Sequence, residues 1–385
     1  MRIAFFSTMG GLPWGGSEEL WCRAADELLD RGHEVLFNTR QWPTIAAPLQ
    51  RLIDKGATPS FRSRLRLGRS LRRLLERSHL VNLKFFPWLK KSKPEFVVIS
   101  VACHTEEPQI ASACHRLGIP YAILLQAAGY NNWVRPQDVP AFRAAYSNAR
   151  QSFFVSAENR TIVESNLAFD LSHTEIVDNP FMVRADVVPA WPSTEPFWKL
   201  AYVGRIHFVS KSQDLLIHVL RQPKWRARPL KITMWGSDDG YLGQIQEMIK
   251  LYGLEEQIAY GGFSNDIESL WSQHHGLLLP SRMEGNALSL IEAMMCGRMP
   301  ITTDVGRAAE LIDDGKSGFV APAATAKLID EVLERAWQRR HDWHSMGQEA
   351  ARVIRQRHSL KPGEDFADRI LVAANSKQPV LKVAA

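Results

Sequence analysis

Residues 276–304, GLLLPSRMEGNALSLIEAMMCGRMPITTD, contain one complete β-loop-α-β unit. The run Gly276-Leu277-Leu278-Leu279-Pro280 is apolar throughout and short, as expected of a parallel strand buried on both faces. Beyond it, Ala287, Leu290, Ile291, Met294 and Met295 recur at i, i+3, i+4, i+7 and i+8, the stripe of a helix that faces a core. Gly297 and Pro300 are read as its stop, and Ile301-Thr302-Thr303 begins the next strand. Between strand and helix lies Glu284-Gly285-Asn286, and Glu292 follows on the helix, eight positions after Glu284. The amides of Asn286, Ala287 and Leu288 open the helix, where donors without helical partners and the positive end of the dipole favour a phosphate. A carboxylate at Glu292 suits the two hydroxyls of a ribose. Phosphate and ribose together describe a sugar nucleotide.

Alternating strands and helices recur on both sides of this unit. Arg2–Ser7 reads as a strand, followed by a glycine-rich loop and a helix whose stripe is Leu20, Trp21, Ala24, Leu28 and Leu29. Strand-like runs follow at Glu34–Phe37, Phe96–Ile99, Tyr121–Leu125 and Ser152–Val155, with helices expected at Glu107–Leu117 and Ala157–Leu167. The segment 188–198 holds three prolines and has no clear period, so it reads as a linker. A second series begins at Lys199–Gly204 and continues through Lys231–Gly236, Gln257–Gly261, the opening unit and Ile301–Asp304. The expected fold class is α/β with two doubly wound parallel sheets, residues 1–190 and 199–360, joined by 191–198. The tail 361–385 carries a weaker signal.

Size and composition are consistent with two domains. The chain has 385 residues, 45% of them hydrophobic, enough for more than one core. The N-terminal apolar patch Ile3-Ala4-Phe5-Phe6 is too short for a signal peptide, and no apolar run reaches the roughly 18–20 residues that span a bilayer. Cys22, Cys103, Cys114 and Cys296 show no metal-ligand spacing and read as reduced thiols of a cytoplasmic protein. The net charge of +6 is uneven: residues 51–93 carry +11 and the remainder −5. A uniformly basic nucleic-acid binder is therefore not expected.

The spacing of Glu284 and Glu292, in this setting, resembles the retaining GT-B glycosyltransferases of the family 4 type, over about residues 1–360 and most strongly over 200–325. That resemblance implies a GT-B architecture, two Rossmann-like domains facing a cleft, with a terminal segment that often crosses back to the first domain. It implies that Glu284 lies by the donor sugar and that Glu292 holds the ribose. Gly204 and Arg205 end a strand and Lys211 precedes a helix, which resembles the family's cationic pair on the donor diphosphate. Such cations stabilise the charge that accumulates on the leaving group. Gly236 matches the glycine turn beneath the nucleotide. Tyr260, in Tyr260-Gly261-Gly262-Phe263, lies where backbone meets the base; a plain strand-to-turn glycine is the alternative reading. Gly285, Asn286, Ala287 and Leu288 complete the donor side. Gly306 and Glu310 also match the pattern, although Glu310 reads equally as a helix-surface carboxylate. In the first domain, Gly15 and Gly16 resemble the family's glycine loop, while the dinucleotide fingerprint is absent.

One position departs from the family. Where many relatives have a histidine after the strand Tyr121–Leu125, this chain has Gln126, which cannot take up a proton near neutral pH. His104 ends the preceding strand and is a candidate to substitute, or else a structural histidine. The expected activity is transfer of a hexosyl-type sugar from a nucleoside-diphosphate sugar to the hydroxyl of a glycan or lipid-linked acceptor, with retention and no metal or other cofactor. The alternatives are a non-catalytic GT-B subunit that binds a sugar nucleotide or a partner, and an epimerase or phosphorylase relative.

The basic segment has a separate reading. Arg62, Arg66, Arg69 and Arg73 share one face of a helical projection, with Leu67, Leu71, Leu74 and Leu75 on another and Phe61, Phe85, Phe86 and Trp88 flanking. An amphipathic basic helix over 61–91 suits an anionic membrane surface on the cytoplasmic side. A solvated face and a grip on an acidic glycan are the alternatives.

Overall fold

A computed structural model describes residues 1–63, 86–106 and 109–376. The chain divides into two compact units, Met1–Pro180 with Lys361–Ala385, and Phe181–Leu360.

The first unit is built on seven parallel strands: β1 (Arg2–Ser7), β2 (Glu34–Arg40), β3 (Thr58–Arg62), β4 (Phe96–Val101), β5 (Tyr121–Leu125), β6 (Gln151–Phe154) and β7 (Glu175–Ile176). Their order across the sheet is β3-β2-β1-β4-β5-β6-β7, so the direction of winding reverses between β1 and β4. Every residue of β4 and β5 is buried, which is why these strands are unbroken apolar runs. Successive side chains feed opposite faces. Ala4 and Phe6 enter one core with Val97, Ile99 and Ile123; Ile3 and Phe5 enter another with Trp21, Phe37 and Val98.

Helix Gly16–Asp30 buries Leu20, Trp21, Ala24, Ala25 and Leu28 against the second of these cores. The same core takes Phe366, Ala367, Ile370 and Ala373 from helix Pro362–Asn375. The weakly patterned tail is thus a structural part of the first unit. Phe366 meets Phe153 edge-on at 5.2 Å.

The basic segment differs from its sequence reading at Arg62. Arg62 ends strand β3 rather than joining a helix, donates to Asn38 O at 2.8 Å and to Ser7 O, and lies 4.2 Å over the Phe6 ring. Alternate side chains of a strand face inward, and here the inward place is an arginine satisfied by carbonyls. Burial pulls its pKa down to about 10. Phe86 and Trp88, on helix Phe86–Ser92, pack against the first unit's core, as does the buried Leu89. Arg66, Arg69, Arg73 and the leucines between them lie outside the described residues.

The second unit has six parallel strands: β8 (Trp198–Val203), β9 (Leu230–Trp235), β10 (Ile258–Gly262), β11 (Gly276–Leu279), β12 (Met299–Thr303) and β13 (Phe319–Ala321). Their order is β10-β9-β8-β11-β12-β13, with the reversal between β8 and β11. Pro300 is the second residue of β12, inside the sheet, and does not merely terminate the preceding helix. It is tolerated because β13 pairs with β12 only from Ile301 onward, so at Pro300 the strand has β11 alone as neighbour.

The proline-bearing segment is no free linker. It belongs to the second unit and is fastened along it. The buried guanidinium of Arg298 donates to Pro189 O at 3.1 Å and Ala190 O at 2.7 Å, as well as to Trp271 O and Cys296 O, and lies 5.4 Å over Trp191. Arg355 holds Ala185 O at 2.9 Å. Prolines cost the segment amide donors and leave its carbonyls, and arginines supply the matching donors.

Phe366→Ala is expected to cost about 3–5 kcal/mol, as for other buried phenylalanines. The measurement is a urea denaturation midpoint against wild type; a loss under 1 kcal/mol would show that the terminal helix contributes little to the first unit.

Candidate functional site

In the second unit the polar residues cluster on two loops, one leaving β8 and one leaving β11, the strands at which the winding reverses. That is where open α/β sheets place ligands. The loops are joined directly. Arg282 grips Asp214 with two contacts of 2.8 Å and donates to Phe208 O at 2.6 Å. The amides of Arg282 and Met283 both reach Ser210 O, at 2.8 and 3.2 Å.

On this frame Lys211 Nζ pairs with Glu284 Oε1, both side chains being largely buried. Glu284 Oε1 also accepts from Ser281 Oγ at 2.7 Å. Lys211 is the last residue of a single turn, Phe208–Lys211, and Tyr202 OH donates to its carbonyl at 2.6 Å. Ser212 follows in the left-handed region, with φ of 59°, before helix Gln213–Leu220. Arg205 is more exposed and pairs with Asp239 at 3.0 Å, while Gln213 Nε2 fixes the Arg205 carbonyl at 2.7 Å. Each cation therefore has an acidic partner already in place.

Backbone proximity explains two of the glycines. Gly236 has φ of +146°, and a Cβ there would come within 2.1 Å of Gly204 O. Tyr260 OH donates to the Gly236 carbonyl at 2.8 Å, joining a third predicted residue to this pair. Gly306 has φ of +63°, and its Cβ would fall 2.2 Å from Gly285 O, so the turn after β12 lies against the Glu284–Gly285 loop. Glu310 pairs with Arg307 at 3.1 Å on an exposed face.

Helix Leu288–Met295 begins at Ala287, which has no side-chain cap. Asn286 and Glu292 are buried. Glu292 Oε1 accepts from the amide of Met182 at 3.1 Å, so this carboxylate also ties down the start of the fastened segment. The structure thus brings Gly204, Lys211, Glu284 and Gly285 into one cluster, with Arg205 adjoining it. The sequence reading did not single out Tyr202, Gln213, Ser281, Arg282 or Asp214, which position them. Arg282 lies within the quoted motif, but nothing in its spacing reveals a partner 68 residues earlier.

In the first unit Gly15 precedes helix Gly16–Asp30 and accepts from the Glu18 amide at 2.9 Å. Glu18 is buried, accepts from Ser7 Oγ at 2.8 Å, and burial pushes its pKa up to about 7 against the pull of Ser7, Trp21 and Arg62. Glu106 accepts from Thr8 Oγ1 and is also raised by burial. His104 is buried, its pKa lowered by that burial, and its Nε2 donates to Asn132 O at 2.9 Å. The ring braces the loop after β5. Gln126 is 4% exposed, and neither amide atom has a hydrogen-bond partner among the described residues. Also among the described residues, no group of three or more His, Cys, Asp or Glu is arranged to hold a metal, and no helix is long and apolar enough to cross a membrane.

Comparison with known proteins finds similarity over part of this chain. Residues 185–353 match the family described as glycosyl transferases group 1. That match lies within the second unit, and the two parallel sheets make up a GT-B fold. A glycogen synthase of Marinomonas sp. is 30% identical over 136 residues, 34% of this chain and 28% of that protein. An alpha-D-kanosaminyltransferase of Streptomyces kanamyceticus is 26% identical over 166 residues, 43% of this chain and 42% of that one. The matches thus span less than half the length of these curated relatives. The crystal structure of Anabaena HepE in complex with UDP superposes with a TM-score of 0.73 at 17% identity, over 97% of this chain and all of the other.

Two outcomes follow. Gly306→Ala should displace the Glu284–Gly285 loop and lower Tm; an unchanged melting curve would show that the loop yields freely. Glu18 is an acid whose folded pKa, about 7, exceeds its ordinary 4.5. The folded state therefore loses stability relative to the unfolded one as pH rises through that window. The stability of Glu18→Gln relative to wild type should be greater at pH 8 than at pH 5; a pH-independent difference would contradict the shift.

Proposed function

We propose that the protein is a retaining, metal-independent glycosyltransferase, moving a hexosyl-type sugar from a nucleoside diphosphate to an acceptor hydroxyl. The observation that carries this reading is the cluster of Gly204, Arg205, Lys211 and Glu284 at the reversal point of the unit that contains the group 1 glycosyl transferase match. Arg205 and Lys211 would grip the diphosphate in exchange for Asp239 and Glu284. As the glycosidic bond breaks, negative charge grows on the leaving phosphate, and two fixed cations stabilise it more in the transition state than in the ground state. Glu284, released from Lys211, would then face the donor sugar. Asn286, Ala287 and Leu288 would present amides to phosphate, and Glu292 would take the ribose hydroxyls. Gly236 and Tyr260 would lie beneath the nucleotide, and Gly15 and Gly16 would form the glycine loop on the acceptor side. Gln126 cannot act as a base, so the acceptor's proton would pass to the leaving phosphate.

Anabaena HepE has also been crystallised with UDP and glucose, and with UDP-glucose, so UDP-sugars head the list of donors to test. A thermal-shift panel of nucleotide sugars identifies the donor, since a ligand at 100 times its Kd adds about 2.7 kcal/mol. With that donor, Arg205→Ala and Lys211→Ala should each lower turnover by about 100-fold or more while the fold persists. Wild-type turnover in either variant would remove the assignment. Calorimetry with the bare nucleoside diphosphate should show a larger affinity loss for Glu292→Gln than for Glu284→Gln, which should mainly slow transfer. A chain that binds the donor yet neither hydrolyses nor transfers it would be a non-catalytic subunit.

A further inference from the structure

The winding of the first sheet reverses between β1 and β4, and there the apolar strands end in polar residues. The alternation that sends Phe5, Val98 and Leu124 into the core shared with helix Gly16–Asp30 sends Ser7, Ser100 and Gln126 toward the same face. Gln126 keeps to the ladder, its amide on Val101 O at 2.9 Å, so the alternation holds just past the end of β5. Ser7 is satisfied: its Oγ donates to Glu18 at 2.8 Å and accepts from the Met9 amide at 3.1 Å. Ser100 and Gln126 are not. Ser100 is 2% exposed and Gln126 4%, and among the described residues neither the hydroxyl nor either side-chain amide atom has a hydrogen-bond partner. Buried polar groups are nearly always paired, and each one left unpaired costs stability. Three such atoms on neighbouring strands, at the point where open α/β sheets take ligands, mark a place for a hydrogen-bonding ligand.

Glu106, on the loop leaving β4, stands at the rim of this place. Its carboxylate accepts from Thr8 Oγ1, and hydrogen bonds from the backbone of Ala102 and Cys103 favour its charged form. Thr8 Oγ1 in turn accepts from the Ala102 amide at 3.0 Å, so the ends of β1 and β4 are tied together and the carboxylate is fixed on the knot. A carboxylate has about four acceptor sites, and these three donors leave capacity for another. Ala102, Cys103, Glu106 and Ala127 are only partly buried, so the unpaired Gln126 amide lies just beneath an accessible rim. The other charged groups acting here are Glu18, bonded to Ser7, and Arg62, which donates to Asn38 O and Ser7 O. A carboxylate at the rim repels an anion and accepts readily from a hydroxyl.

We propose that Glu106 accepts a hydrogen bond from the acceptor's attacking hydroxyl and that the Gln126 amide, with the Ser100 hydroxyl beneath it, pairs with a neighbouring oxygen of the same neutral polyol. This rests on the glycosyltransferase reading and names the residues that hold its acceptor; Glu106 orients the hydroxyl, and the proton still leaves with the phosphate. The test uses the full chain and the nucleotide sugar found by thermal shift. Water, glycerol, methyl glucopyranoside and methyl glucuronoside serve as acceptors, water standing in through donor hydrolysis. Gln126→Met removes two unpaired atoms at similar volume, so it should hold or raise Tm while lowering turnover of the best neutral acceptor about tenfold. Glu106→Gln should lower the same turnover about tenfold, and both variants should keep the wild-type donor Kd. A structural role alone would move Tm and leave that split between acceptor turnover and donor binding unmade. Wild-type acceptor turnover in Gln126→Met, a fall in its Tm, an equal loss of donor affinity, or use of the glucuronoside alone would overturn the proposal and leave the transferase reading standing. A wild-type chain that turns over no donor, with water or any other probe, would overturn both.

Discussion

The contact between Arg282 and Asp214 fixes the distance between the two loops from which the second unit's polar residues project. Both loops leave neighbouring strands at the point where the winding reverses, so the sheet sets their roots about 4.7–4.9 Å apart, the usual spacing of paired strands. The roots alone do not determine where the tips go. A planar guanidinium meeting a carboxylate at two points fixes orientation as well as distance, and the amides on Ser210 O prevent the β11 loop from sliding along the β8 loop. Only with that frame in place can Lys211 and Glu284 meet, and only then does the turn at Gly306 find Gly285 where it needs to be. Removing Arg282 would leave the residues of the proposed chemistry intact and their geometry unspecified.

The two pairs of opposite charge in this region, Arg205 with Asp239 and Lys211 with Glu284, bear on how an anion would enter. Neither cation is presented bare. A diphosphate would have to displace a carboxylate from each, so part of the attraction it gains is offset by attraction lost. In return, the proposed grip would start from cations already held in place by their carboxylates. Arg205 is the more exposed of the two, while the carbonyl of Lys211 is held by the Tyr202 hydroxyl.

Much of the sheet was readable in the sequence because buried parallel strands are uninterrupted apolar runs: Arg2–Ser7 and Tyr121–Leu125 have the bounds their composition implies. The helix stripe of Leu290, Ile291, Met294 and Met295 was equally plain, since each of those positions is buried. What escaped was decided by partners distant in the chain. Arg62 has the periodicity of its basic neighbours, but its surroundings are Asn38, Ser7 and Phe6. The prolines of 188–198 signal a linker locally, and only Arg298, a hundred residues on, reveals that their carbonyls are bound. In the candidate site the residue types of Arg205, Lys211, Glu284 and Glu292 were legible from motif spacing. The pairings of Lys211 with Glu284 and of Glu292 with the Met182 amide were not, because no local pattern encodes them.

The helix Pro362–Asn375 carries a consequence for how the chain is made. The second unit is one continuous stretch, Phe181–Leu360, whereas the first is assembled from segments on either side of it. During synthesis the ribosome delivers Trp21 and Phe153 long before Phe366, Ile370 and Ala373, which cover the same core. The first unit must therefore wait, with that face open to water, while the whole of the second is translated and free to fold, at about 5–20 residues per second. The unit that emerges first is the one that closes last, and that interval is when an exposed apolar surface most needs a chaperone.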